Sequence, residues 1–297
     1  MATELGKRLA VAAVGIPLVV AAVYAGGWVM GVVLAAAAAV GAVELCRIAE
    51  QRGVRPFTLA AAVLAGLFVL LATALPSAPE ATPFLWLALM LAVLVLSAAA
   101  IPLRGVEGGP LAAVAVTVLA ALLLGGTLSY AVFLRYLPEG RLAGDPIAAA
   151  AVLGAETRLA GALLVGFPLI LTWISDTCAY FGGRAFGRRK LIPAVSPAKT
   201  VAGAVAGVLG TVVIGAGYGW LLDAWVEVPL GPLAGAVGGA LVSVVAQAGD
   251  LVESLLKREA GVKDSGALFP GHGGLLDRVD SLLFAFPAAY WYLSAVL

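Results

Sequence analysis

The chain has 297 residues, 62% of them hydrophobic and 12% charged, with a formal net charge of +1 and a mean hydropathy of +1.06. Soluble domains are nearer ~45–50% apolar and ~25% charged, so the composition excludes a water-soluble fold and makes lipid the solvent. The balanced charge gives nothing that points to nucleic acid. Two cysteines and one histidine are too few for a closed zinc site or a disulfide framework. Cys46 and Cys178, each inside an apolar run, are expected to be packing residues.

A membrane-crossing helix needs ~20 mostly apolar residues. In chain order the sequence predicts nine, over 9–25, 28–46, 57–75, 83–101, 110–134, 159–181, 200–222, 232–252 and 281–297. The first opens with Lys7 and Arg8 and carries Pro17. It offers no convincing cleavage site between Leu18 and Gly27, so it reads as a retained anchor rather than a signal peptide. With the amino terminus inside, the inner loops are 1–8, 47–56, 102–109, 182–199 and 253–280. They hold all but three of the 18 basic residues. Arg135, Arg141 and Arg158 fall in the one long outer loop, a distribution that fits the positive-inside rule and opposes the mirror topology. The expectation is an all-α polytopic integral membrane protein of about nine transmembrane helices, with a polar active site at the cytoplasmic boundary.

The chain changes character near residue 172. Before it the spans are almost free of polar groups, Glu44 at the end of span two excepted. Residues 1–170 therefore read as a scaffold of transmembrane helices and 171–297 as the catalytic membrane region. Ionisable residues at membrane boundaries are costly and default to a functional reading.

Asp176 and Tyr180 stand one turn apart at the end of span six, before Gly182, Gly183 and Arg184. The run Arg188, Arg189, Lys190 suits an anchor for anionic headgroups. Ser196, Lys199 and Thr200 lie where span seven begins, and hydroxyls, an ammonium and helix N–H groups there form an anion site. Asp250, Glu253, Ser254 and Lys257 follow at i, i+3, i+4 and i+7, on one face of a helix. A helix end with local ion pairs is the plainer reading of that face.

Residues 263–281 shift the balance toward chemistry. Pro270, Gly271, Gly273 and Gly274 surround His272, and glycines let backbone N–H groups approach a phosphate closely. His272 could donate to phosphate, act as a general acid or organise the loop. Asp277 and Asp280, at i and i+3, would complement the helix dipole, but that modest gain is a poor reason to place two acids where the chain re-enters lipid. Oxygen ligands without soft donors suggest Mg²⁺ or Mn²⁺ held by carboxylates and substrate phosphates.

Residues 254–280 resemble the signature of the phosphatidate cytidylyltransferases, the CDP-diglyceride synthases. Ser254, Lys257, Arg258, Lys263, Asp264, Gly266, Phe269, Pro270, His272, Gly273, Gly274, Asp277, Arg278 and Asp280 meet its defined positions. Asp176, Tyr180 and Gly183, then Ser196, Pro197, Lys199, Thr200 and Gly203, are similar to further motifs of the family. Val201 and Ala202 depart from it, standing where members often carry a bulky aromatic and a polar residue. The motifs cover roughly the last 125 residues.

The resemblance implies a magnesium-dependent nucleotidyltransferase that makes CDP-diacylglycerol and pyrophosphate from CTP and phosphatidate. It would be a multi-pass protein of a bacterial-type cytoplasmic membrane, its active site facing the cytoplasm. Asp250, Asp277 and Asp280 would hold Mg²⁺, alone or in a two-cation centre with an ion such as K⁺. Ser254 and Lys257 would contact metal or phosphates, and Ser196, Lys199 and Thr200 would bind phosphate. Arg258, Lys263 and Arg278 would steady the triphosphate or the lipid headgroup, with Asp264 and Tyr180 also on the substrate side, and Asp176 would be an additional metal or water ligand.

A secondary transporter would gather charges at the midplane, often with inverted repeats, and none is visible. The repeated-Asp motif of the CDP-alcohol phosphotransferases is absent. Gly203 and Gly207 permit close helix packing, within the chain or in a homodimer.

Overall fold

A computed structural model describes residues 2–142, 155–268 and 273–297. Its helices are α1 (Ala2–Ala25), α2 (Gly27–Glu50), α3 (Thr58–Ala74), α4 (Ala78–Arg104), α5 (Pro110–Ala121), α6 (Thr127–Leu142), α7 (Ala155–Phe186), α8 (Val201–Val226), α9 (Gly231–Glu259) and α10 (Leu276–Val296). A π turn, Leu122–Gly126, joins α5 to α6 without a break. Helix covers every predicted span. Among the described residues seven helical stretches are long and apolar enough to cross a membrane, and Gly15–Ala25 and Thr58–Ala74 are shorter apolar helices. The chain is an all-helical, multi-pass membrane protein. Lipid can satisfy no backbone polar group, so helix is the economical form for such runs. Its six tryptophans, among them Trp86, Trp225 and Trp291, are all exposed on the apolar surface.

One element departs from the helical expectation. Lys190–Ile192 (β1) and Ser196–Thr200 (β2) pair antiparallel, with Lys190 opposite Thr200 and Ile192 opposite Ser196. Ser196 and Lys199 are therefore strand residues rather than part of a helix start. Thr200 alone caps α8, its side chain accepting from the Gly203 N–H at 3.1 Å. Pro197 cannot donate to a ladder, which suits a two-stranded ribbon with two free edges.

By contacts the chain divides into two units, Met1–Phe133 with Leu256–Val279, and Leu134–Leu255 with Asp280–Leu297. In the first, α2, α3 and α5 pack through small residues, Ala38, Ala42, Ala61, Ala65 and Ala72 being fully buried. A Cβ on Gly125 would strike the Ala65 carbonyl, and this close approach falls within the π turn. Ser129 Oγ donates to the Gly125 carbonyl at 2.7 Å, satisfying a group that the widened turn exposes. The segment between α2 and α3 is tied down by Phe57 N–H donating to Thr117 Oγ1 at 2.8 Å and by Arg104, whose Nε donates to the Arg55 carbonyl at 3.1 Å.

The second unit is built on glycine seams. On α8, Gly203 and Gly207 face Ala179 and Ser175 of α7, while Gly215 and Gly219 meet Gly235 and Gly231 of α9 backbone to backbone. The small-residue spacing thus serves packing inside this chain. Cys178 also lies in that seam, against Gly210, and Cys46 is buried, both as free thiols in packing roles.

Candidate functional site

In the first unit the end of α9, the following loop and the start of α10 converge on Asp277. Lys257 Nζ lies 2.6 Å from Asp277 Oδ1, the two side chains being 11% and 6% exposed. Asp277 Oδ2 accepts the Ser265 N–H, the Ser265 hydroxyl and the Gly274 N–H, each at 2.8 Å. A carboxylate at the first turn of a helix, facing N–H groups and an ammonium, is held ionised and in one orientation. Removing one partner of such a pair typically costs about 3–5 kcal/mol.

Behind Ser265 stands a second carboxylate. Glu44 of α2, 4% exposed, accepts the Leu275 N–H at 3.0 Å and the Leu276 N–H at 2.7 Å. Ser265 Oγ is also within reach of it, at 3.1 Å. Neither Glu44 nor Ser265 is singled out for a role by the sequence. Glu44 stands out only as a charge at the end of an otherwise apolar span, and Ser265 is an undefined position of the signature.

Three glycines of the signature make room for carboxylates of the chain itself. Gly273 adopts φ +78°, and a Cβ on it would come within 2.5 Å of Asp277 Oδ2. A Cβ on Gly266 would approach Glu44 Oε1 to 2.8 Å, and one on Gly274 would come within 2.5 Å of Glu44 Oε2. These positions make room for the protein's own carboxylates. Arg258, Lys263, Asp264 and Arg278 are exposed around the loop, and Arg258 Nη1 donates to the Val262 carbonyl at 3.3 Å. Phe269, Pro270, Gly271 and His272 lie outside the described residues.

In the second unit a cavity of about 480 Å³ is lined by Asp176, Tyr180, Gly183, Arg184, Lys190, Lys199, Thr200, Gly203, Gln247 and Asp250, among others. Helix α7 supplies Asp176, Tyr180 and Arg184 one turn apart, the hairpin supplies the lysines, and α9 supplies Gln247 and Asp250. Lys199 Nζ is 2.6 Å from Asp250 Oδ2, with side chains 26% and 30% exposed. Ser254 donates to Asp250 Oδ1 at 3.3 Å, and Arg184 donates to the Tyr180 hydroxyl at 3.3 Å. Below the cavity Gln247 Nε2 donates to Ser243 Oγ at 3.0 Å, and Ser243 bonds Ser175 at 2.7 Å.

The structure thus gathers Asp176, Tyr180, Lys199, Thr200, Asp250 and Ser254 in one place. Ser196 is at the far end of β2, opposite Ile192. Asp280, assigned to this unit, accepts the Ser281 N–H at 2.5 Å.

The carboxylate oxygens of Asp250 and Asp277, each paired with a cationic nitrogen, have the hard-donor chemistry that a magnesium-like ion takes. Among the described residues no group of three or more His, Cys, Asp or Glu is placed to hold a metal.

Comparison with known proteins bears on both arrangements. The sequence profile of a family described as the cytidylyltransferase family matches residues 6–296. A protein of Synechocystis sp. named phosphatidate cytidylyltransferase is 33% identical over 301 residues, covering 98% of this chain and 97% of that protein. One of the same name from Haemophilus influenzae is 44% identical over 140 residues, covering 44% of this chain and 46% of that one. The uncharacterized protein YnbB of Escherichia coli is 40% identical over 166 residues, covering 56% of this chain and 49% of that one. The chain spans about half the length of the last two in these alignments and nearly all of the first.

Proposed function

The chain belongs to the cytidylyltransferase family, and on that premise we propose that it transfers the cytidylyl group of CTP to phosphatidate. The products are CDP-diacylglycerol and pyrophosphate, for phospholipid synthesis. The observation that carries the reading is the signature itself, folded so that Lys257 and Asp277 meet at 2.6 Å with both side chains nearly enclosed.

A phosphate oxygen of phosphatidate forms the new bond to the α-phosphorus of CTP as the bond to the pyrophosphate oxygen breaks in line. The nucleophile is already an anion near neutral pH, so the reaction asks for positioning and charge neutralisation rather than a strong base. Lys257 and Lys199, with Arg258, Lys263 and Arg278, supply positive charge for the triphosphate and the lipid phosphate. Ser196, Ser254, Thr200 and Tyr180 supply hydroxyls, Asp264 lies among the substrate-binding residues, and Asp176 is a further ligand to metal or water. His272 is proposed to donate to phosphate, act as a general acid or organise the loop.

Asp277, Asp250 and Asp280 are the carboxylates proposed to take Mg²⁺, alone or with a second cation such as K⁺. When bound, the ion neutralises charge on the triphosphate. The positive-inside distribution supports nine spans with the amino terminus and these residues facing the cytoplasm, where CTP is available. A homodimer would form on faces other than the Gly203 and Gly207 seam, which packs within the chain.

The reading is tested with labelled CTP and phosphatidate in detergent micelles. CDP-diacylglycerol formation that requires phosphatidate supports it. CTP left unconsumed across several lipids and detergents overturns it, as does consumption of CDP-lipid instead.

A further inference from the structure

Glu44 lies more than two hundred residues before the signature, yet both its oxygens are engaged by it. The Leu275 and Leu276 amides, at 3.0 and 2.7 Å, belong to the residue before α10 and to its first residue, and N–H groups at a helix start find no carbonyl inside the helix. An ionised carboxylate suits that end of the helix dipole, and burial of the charge is offset by these donors. Gly266 and Gly274 are the residues whose missing side chains leave Glu44 its room.

We propose that Glu44 is a positioning residue of the transfer reaction, a member of the signature contributed by α2. It anchors Ser265 and the Gly274–Leu276 backbone. Those groups in turn hold Asp277 Oδ2 with three hydrogen bonds at 2.8 Å, which leaves Oδ1 turned to Lys257. The orientation of Asp277 is therefore set from the amino-terminal half of the chain. Among the described residues, Gly266 and the Gly273–Leu276 turn are shaped around these two carboxylates.

This inference rests on the proposed reaction, and the test separates the two. In purified full-length protein, kcat, the KM for CTP, the melting temperature and amide hydrogen exchange of Leu275 and Leu276 are compared across wild type, Glu44→Gln, Glu44→Asp, Ser265→Ala and the Glu44→Gln/Ser265→Ala double variant. Residues that orient a reacting group indirectly typically cost about 10–100-fold when replaced. Glu44→Gln is expected to lower kcat by that factor with KM for CTP little changed and to speed exchange at the two amides. Glu44→Asp, which keeps the charge, should restore part of kcat.

The double variant should be no slower than the slower single one, because both act through one chain of contacts. Wild-type kcat in Glu44→Gln with only a lowered melting temperature overturns the proposal, as do losses that multiply in the double variant. If Glu44→Gln does not fold, Ser265→Ala decides, and full activity there overturns it. If wild type makes no CDP-diacylglycerol, the reaction assignment falls. Amide exchange still judges the anchor, and unchanged exchange in Glu44→Gln overturns it.

Discussion

The two lysine–aspartate pairs have the same contact distance and different surroundings. Lys257–Asp277 is nearly enclosed and Lys199–Asp250 is about a quarter open, both at 2.6 Å. Around Asp277 stand two backbone N–H groups and a hydroxyl. Around Asp250 the further donor is Ser254, at 3.3 Å, and the pair faces a cavity. Enclosure strengthens an ion pair and also makes it hard to rearrange, because neither charge can recover its hydration. The first pair is built to hold its geometry, and the second can exchange partners with a ligand.

The largest effect should come from the enclosed pair. Asp277→Asn leaves Lys257 facing an amide and is expected to lower kcat by roughly 10²–10³-fold, the range seen when a positioned electrostatic group is removed. It should also lower the melting temperature, since the buried Lys257–Asp277 ion pair is lost. Formation of CDP-diacylglycerol and thermal unfolding in detergent check both halves. Activity surviving this change would remove Asp277 from the proposed metal ligands and leave the family assignment intact. Chelation of divalent ions in wild type should abolish turnover to a similar degree, and restoration by Mg²⁺ completes that arm.

The open pair should break differently. Lys199→Gln is expected to cost activity on the order of 10-fold or more, mainly through a raised KM, because Lys199 lines the cavity and holds Asp250 there. Its melting temperature should stay close to wild type, since half-exposed ion pairs contribute only about 0–1 kcal/mol. A melting-temperature loss as large as that of Asp277→Asn would erase the distinction between the two pairs.

The contrast also explains what could be read from the sequence. The helices were legible because length and apolarity alone decide them, and among the described residues seven of the predicted stretches correspond to helices long and apolar enough to cross a membrane. The cavity face was legible in part: Asp176 and Tyr180, and Asp250 and Ser254, recur at helical spacing on α7 and α9. The hairpin was not, since Pro197 and the basic run before it look like any surface loop. Glu44 shows as an unexplained charge only, because its partners Ser265, Leu275 and Leu276 come from the far end of the chain and two of them act through backbone groups that carry no sequence identity. The glycines are legible only as space: Gly266, Gly273 and Gly274 mark places where a side chain would meet Glu44, Ser265 or Asp277, and no sequence pattern names those neighbours.

Two glycines near the enclosed pair give the smallest and most discriminating test. Gly261 and Gly273 have nearly the same backbone, φ +73° and +78°, so an alanine at either carries a similar left-handed penalty of about 1–2 kcal/mol. Their surroundings differ. A Cβ on Gly261 meets open space, whereas one on Gly273 presses on Asp277 Oδ2. Gly261→Ala is expected to lower stability by that modest amount and leave turnover unchanged. Gly273→Ala should add a several-fold loss of kcat, because the carboxylate must rotate away from the Ser265 and Gly274 donors. Equal activity in the two variants would show that Asp277 tolerates displacement, and the enclosed pair would then owe its effect to charge alone and not to its fixed orientation.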